Sequence, residues 1–370
     1  MIEITNFRNG SVLSCHDGIE TPEYLEITVE GITSPQADVC VNGIAAEKFD
    51  RRFTASIRLT EKINTITAVA SDTYGEHSQT ITAVWDKGSF KRFNFFIDDC
   101  IFFLRNIAVN KLPSIFDDHF LNRLRQIHQK YGSCFTLNLF FHDAHHDFSL
   151  TEFPDSYKAE FQSCASWLKM SFHAKSEFPD RPYQSADAAV IAADYDAVHN
   201  EVRRFAGDES FIAPMVIHWA MTNPENFPVL TSRGTKCLAA PFIDTISHIG
   251  EVHKFKVTDI GFHYEQDVAQ YIDKAHLWYD KRFDLFLLNS LFICNFTTQD
   301  EIKKAFENLA ANPRDTVNVL THEQYCYEDY FNYIPDHLDR IELTCRLAAQ
   351  AGYKPLFFNN GILGNTAWEK

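Results

Sequence analysis

The chain is short of positive charge. It has 34 Lys and Arg against 50 Asp and Glu, a formal net charge of −16. Nucleic acids and anionic bilayers are bound through clustered Lys and Arg. No basic stripe with interleaved aromatics occurs, so neither partner is expected. No window reaches the roughly 20 apolar residues of a bilayer-spanning helix, so no membrane span is expected. The nine Cys include no C-x-x-C pair, which removes zinc-ribbon and thioredoxin-type sites. Their number is odd and several lie in apolar runs, where a free Cys acts as a small hydrophobe. That usage suits a reducing compartment. The N-terminus, MIEITNFRNG, has no basic stretch followed by an apolar one, so no signal peptide is read there. As it stands the sequence points to the cytoplasm; a chain already trimmed of its leader would be an exported one. Internal repeats and low-complexity segments are also lacking.

What is present is apolar. In 370 residues the hydrophobic fraction is 45%, with 33 Phe. That suffices for two domains and a large core and makes disorder unexpected over most of the length. Residues 1–87 are rich in Thr, Val and Ile in short alternating runs: 24–29, 37–41, 53–59, 65–71 and 80–84. Turn signals at Asn42-Gly43 and Asp72 to Gly75 punctuate them. Short strands with no helical period predict a β-sandwich. Trp85 to Ser89 reads as a linker.

From residue 88 onward the texture is β then α. Strands are predicted at 93–97, 135–141, 167–172, 213–219, 283–288, 317–321 and 356–359. Helices are predicted at 118–131, ending on Gly132, at 185–205, before Gly207, and at 302–311 and 330–351. This alternation predicts βα units in a mostly parallel sheet or barrel. About seven strands fit an irregular (β/α) barrel over 88–370 better than a regular eight-fold one.

Polar residues recur where these strands end. Strand 93–97 stops at Asp98-Asp99, 135–141 at His142, 167–172 at His173, 213–217 reaches His218-Trp219, and 317–321 stops at His322-Glu323. Parallel strands bring such ends to one face. A single strand-end His is usually a satisfied turn residue, and an Asp pair can simply cap the next helix. Several His with an Asp pair at one end suit a divalent cation, Zn or else Fe, Mn, Co or Ni. His173 and Glu177 stand four apart. On a helical turn both reach one ion, whereas in a solvated loop Glu177 pairs with Lys175 or Arg181.

Two resemblances extend this reading. Val41-Asn42-Gly43-Ile44 with Lys62 to Gly75 resembles the small immunoglobulin-like modules appended to bacterial carbohydrate-active enzymes. Residues 90–370 resemble the NodB-type polysaccharide deacetylases, carbohydrate esterases with a distorted (β/α) barrel. The shared features are Phe95-Phe96-Ile97-Asp98-Asp99, the 173–177 segment in place of H-[ST]-x-x-H, and Leu320-Thr321-His322. The resemblance implies Asp98 as base, Asp99 and His173 as metal ligands with Glu177 in the second His position, and His322 as acid. Arg181-Pro182-Tyr183 has the composition of the family's R-x-P-[YW] motif but comes too early. His218 and Trp219, without a family counterpart, are read as lining a sugar subsite together with Arg181 and Tyr183, and Glu323 as orienting His322 or touching substrate.

The expected function is therefore a metal-dependent deacetylase releasing an N- or O-acetyl group from a poly- or oligosaccharide. Two alternatives stay open. One is a glycoside hydrolase or lyase on the same barrel, using paired carboxylates. The other is a non-catalytic glycan-binding protein. The sugar, the metal and the oligomeric state are not set by the sequence.

Overall fold

The structure is a computed structural model and describes residues 1–242 and 264–369. Two compact units divide the chain. The first comprises 1–90 with 277–286 and the stretch from Asn365; the second comprises 91–276 and 287–364.

The first unit is built from two five-stranded sheets. One runs Ile2–Ile4, Leu25–Thr33, Arg52–Leu59, Glu47–Phe49, with Gly18–Glu20 also on Leu25–Thr33. The other runs Ser11–Leu13, Gly75–Trp85, Ile63–Asp72, Asp38–Val41, Ile44–Ala45. Period-two patterning explains both. Along Leu25–Thr33 every second residue is buried, and Leu25, Ile27 and Val29 meet Phe53, Ile57, Ile66, Ala68, Ile81 and Trp85 in one core. The Asn42-Gly43 turn has φ of 48° and 82°, the left-handed pair that a two-residue hairpin requires. Hairpin residues 277–286 and the C-terminal stretch belong to this unit, joined to it by bonds such as Tyr279 N to Gly10 O at 2.9 Å.

The second unit is α/β. Its sheet runs Leu168–Ala174, Phe135–Phe140, Arg92–Cys100, Thr316–His322, with every pair parallel. The strands are buried on both faces, as parallel strands between helices are. Backbone pairing continues past both edges. Ile212 N donates to Met170 O, Ala239 N to Met215 O, Ser290 N to Ala240 O and Leu291 N to Asn318 O, at 2.7–3.0 Å. These bonds close a circuit that begins and ends on Thr316–His322.

Several predicted elements shift. The stretch 213–219 is no strand: Pro214 lacks an N–H, the chain bends at Met215, and only isolated bonds reach its neighbours. Strands Cys237–Ala240 and Leu277–Asp280 were not expected. They are four residues each, too short to show a period. The predicted strand 356–359 is not formed, a two-residue strand, Lys354–Pro355, lying just before it, and the helix expected from 330 begins at His337. Gln299–Ala311 starts earlier than expected because Thr298 and Glu301 form a capping box.

Candidate metal site

The Asp98-Asp99 pair sits on a β-bulge. Ile97 pairs with Leu137 and Cys100 with Leu139, so both carboxylates stand opposite the single residue Asn138. On a regular strand adjacent side chains point to opposite faces. The extra residue, with Asp99 in the left-handed region at φ 57°, turns both toward one cavity. His173 is likewise an extra residue. Leu139 pairs with Phe172 and Phe140 with Ala174, which leaves His173 unpaired at the bulge. His218 follows the extended residue Ile217 and opens a short turn in which Trp219 and Ala220 are left-handed, at φ 65° and 48°. Left-handed non-glycine residues cost on the order of 1 kcal/mol each and gather at functional sites.

These three elements bring together Asp99 Oδ1, His173 Nε2 and His218 Nδ1. The separations are 3.1 Å for Asp99–His173, 3.4 Å for Asp99–His218 and 3.1 Å for His173–His218. A tetrahedral cation with bonds of about 2.0–2.1 Å needs donors about 3.3 Å apart. The residues are 7%, 2% and 6% exposed, and Asp99 Oδ1 has no hydrogen-bond partner despite its burial. A cation there would satisfy it, so the residues fit a metal. Two His and one carboxylate suit Zn as well as Fe. Among the described residues this is the one such group of donors.

The surroundings set the donor atoms. His218 Nε2 lies 3.2 Å from the Glu177 carbonyl, which can only accept. Nε2 therefore carries the hydrogen, and Nδ1 offers its lone pair to the site. Burial of Asp99 opposes ionisation, but the fields of His322, His173 and His218 overcome it and hold the carboxyl well below the usual range. Burial drives the His173 imidazole down to about 4, against the pull of Asp99, so the ring is neutral with a lone pair to offer a cation. Asp98 is driven the other way, well up, by burial and then by Asp99, although Asn138 Nδ2 donates to it at 2.7 Å. Two adjacent carboxyls thus have opposite tendencies.

His322 pairs in register with Asp98 on the neighbouring strand. Its Nδ1 is 2.9 Å from Asn295 Oδ1, which leaves Nε2 as the open nitrogen. Burial lowers its pKa, and Asp99 resists. The cavity in front of these groups has a volume of about 690 Å³ and is walled by Phe178, Trp219, Phe296, Tyr325, Tyr330 and Phe331.

The other expected residues are placed as follows. Glu177 lines the cavity but lies outside the donor group; its Oε2 takes Gln324 Nε2 at 2.8 Å and His145 Nε2 at 2.5 Å. Burial raises its carboxyl. His218, expected as a sugar contact, stands among the donors instead. Arg181 and Trp219 line the cavity together, with the guanidinium 5.3 Å from the indole centroid. Tyr183 stands behind the wall, 1% exposed, its hydroxyl between Lys175 N and Asp194. Glu323 is 0% exposed, and its carboxylate accepts from three backbone N–H groups.

Sequence reasoning passed over Asn138 and Asn295. A signal for Asn138 did exist. Asn94, Asn138 and Asn318 each stand between two apolar neighbours in a strand, and all three are hydrogen-bonded in the interior. Asn295 had no such context.

No protein-family model matches the chain, and neither does any curated protein. Among solved structures it is similar to a family 5 glycoside hydrolase, a xyloglucanase of Bacteroides ovatus in complex with a heptasaccharide. The identity is 8%, the TM-score 0.27, and the match covers 94% of this chain and 100% of that one. It is also similar to a candidate alpha-galactosidase of Bacteroides fragilis, at 10% identity and a TM-score of 0.28, over 98% and 79% of the two chains. Likeness at this level carries no weight for fold or activity. What the site defines is a buried carboxylate–bis-histidine donor set, drawn from two parallel strands and from the turn that begins at His218.

Proposed function

We propose that this chain is a metal-dependent enzyme acting on carbohydrate, and that the bond it breaks is an acetyl ester or amide. The observation that carries the metal is the 3.1–3.4 Å triangle of Asp99, His173 and His218 donors. A divalent cation held there supplies Lewis acidity, polarising a carbonyl and lowering the pKa of water. Asp98, whose carboxyl is driven up, is the group that takes the proton as water attacks. His322, with Nε2 open, is placed to return a proton to the leaving amine or alkoxide. Aromatic walls offer apolar faces to a sugar ring, and Trp219 with Arg181 forms one of them. The closed circuit of backbone pairing supports reading residues 88–370 as an irregular (β/α) barrel. Two packed sheets support reading 1–87 as an immunoglobulin-like spacer.

A second reading is favoured by one observation. Asp98 and Glu177 both line the cavity, and burial raises both carboxyls. Paired carboxyls are what glycosidic cleavage uses. Elemental analysis of the purified protein, followed by product analysis on acetylated oligosaccharides, separates the readings. The deacetylase releases acetate and the glycosidase new reducing ends. Full activity without any metal overturns the first.

A further inference from the structure

The turn that presents Asp99 is held from the opposite strand by one residue. Glu323 N donates to Asp98 O at 2.9 Å, just before the left-handed Asp99. Just after it, the Glu323 carboxylate accepts from the N–H groups of Ile101, Phe102 and Phe103 at 2.7, 3.0 and 2.6 Å. These are the first N–H groups of the Phe102–Asn110 helix, whose own N-cap residue, Ile101, makes no side-chain cap bond. They would otherwise be buried donors without partners. Glu323 thus grips both flanks of the bulge, and with them fixes Asp98 and Asp99 relative to His322.

We propose that Glu323 is the positioning residue for Asp99, holding the strained Asp98-Asp99 turn in its ligating form. This rests on the reading of Asp99 as a cation ligand. A distant carboxylate used only as a helix cap would stabilise the fold without affecting the site. The distinction lies in what else the residue grips: its main chain holds residue 98 and its side chain holds 101–103, so only Asp99 and Cys100 lie between the two grips, and Cys100 is itself paired with Leu139.

The test is Zn²⁺ titration calorimetry on the full-length protein and on Glu323→Gln, with hydrogen exchange over residues 98–103. Thr298→Ala removes an exposed cap from the Gln299–Ala311 helix and serves as a control for the loss of a helix cap as such. In Glu323→Gln the amide sets an N–H against backbone donors. Its zinc affinity is expected to fall at least about tenfold, the effect of losing a group that orients a ligand, with faster exchange over 98–103. Thr298→Ala is expected to keep wild-type affinity and exchange there. Equal zinc affinity in Glu323→Gln and wild type, or equal weakening in Thr298→Ala, overturns the proposal. Should Glu323→Gln fail to fold, Glu323→Asp carries the same test, since a side chain one methylene shorter cannot reach all three donors. If wild type takes up no zinc, the cation reading falls, and exchange decides the clamp: faster over 98–103 in the Glu323 variant alone upholds it, unchanged exchange overturns it.

Discussion

Asp98 and Asp99 are neighbours in sequence with opposite chemistry. Three imidazoles face Asp99 and keep it ionised; Asp98 has burial and a like charge beside it. Environments that push two carboxyls apart are how one site holds both a ligand and a proton acceptor. Separate variants should therefore fail differently. Asp98→Asn is expected to keep bound metal and lose turnover by about 10² or more. Asp99→Ala and His218→Ala are expected to lose the metal itself, whereas Glu177→Gln, outside the donor triangle, should retain it. Elemental analysis with parallel activity assays checks all four.

At the level of elements, buried polar side chains tie helices to strand ends. Asp118 is 0% exposed, caps the His119–Tyr131 helix through Leu121 N at 2.9 Å, and also accepts from Asn106 and the Tyr327 hydroxyl. Asp118→Ala removes the cap and leaves buried donors unpaired, an expected loss of about 3 kcal/mol in urea unfolding. His337, at the start of its helix, is fully buried near Thr321 and the His322 carbonyl, and burial lowers it to about 3. Its folded pKa lies below the unfolded value of about 6.5. The unfolded chain therefore binds the extra proton, so this contribution is complete above about pH 6.5 and falls as pH drops toward 3. The slope is about 1 kcal/mol per pH unit. Unfolding measured from pH 7 to 5 should show a shallower decline in His337→Asn.

At the scale of the molecule, chain order and spatial unit diverge. The stretch from Asn365 belongs with the N-terminal sheets: Trp368 Nε1 donates to Trp85 O at 2.8 Å, and the two indoles meet edge to face at 5.1 Å. Trp368→Ala is expected to cost about 2–3 kcal/mol through lost burial and the aromatic pair. Residues 1–87 expressed alone, which lack Trp368 and the 277–286 hairpin, should melt below the corresponding transition of the intact chain. Differential scanning calorimetry on both checks this.

Much was legible along the chain because its cause is local. Period-two burial marked the strands of the first unit, Asn42-Gly43 marked a hairpin turn, and buried apolar runs ending in Asp or His marked strand ends. By itself the sequence determined two textures, βα alternation from residue 88, and Asp99 and His173 as site candidates. The tertiary structure alone decided that His218 rather than Glu177 completes the donor triangle, and that Glu323 is spent on backbone N–H groups. Spacing along one segment favoured Glu177, four residues from His173. Ligation depends instead on which atoms meet across separate strands, and bulges at Asp98-Asp99 and His173 reorient those side chains in ways that an alternating pattern does not encode.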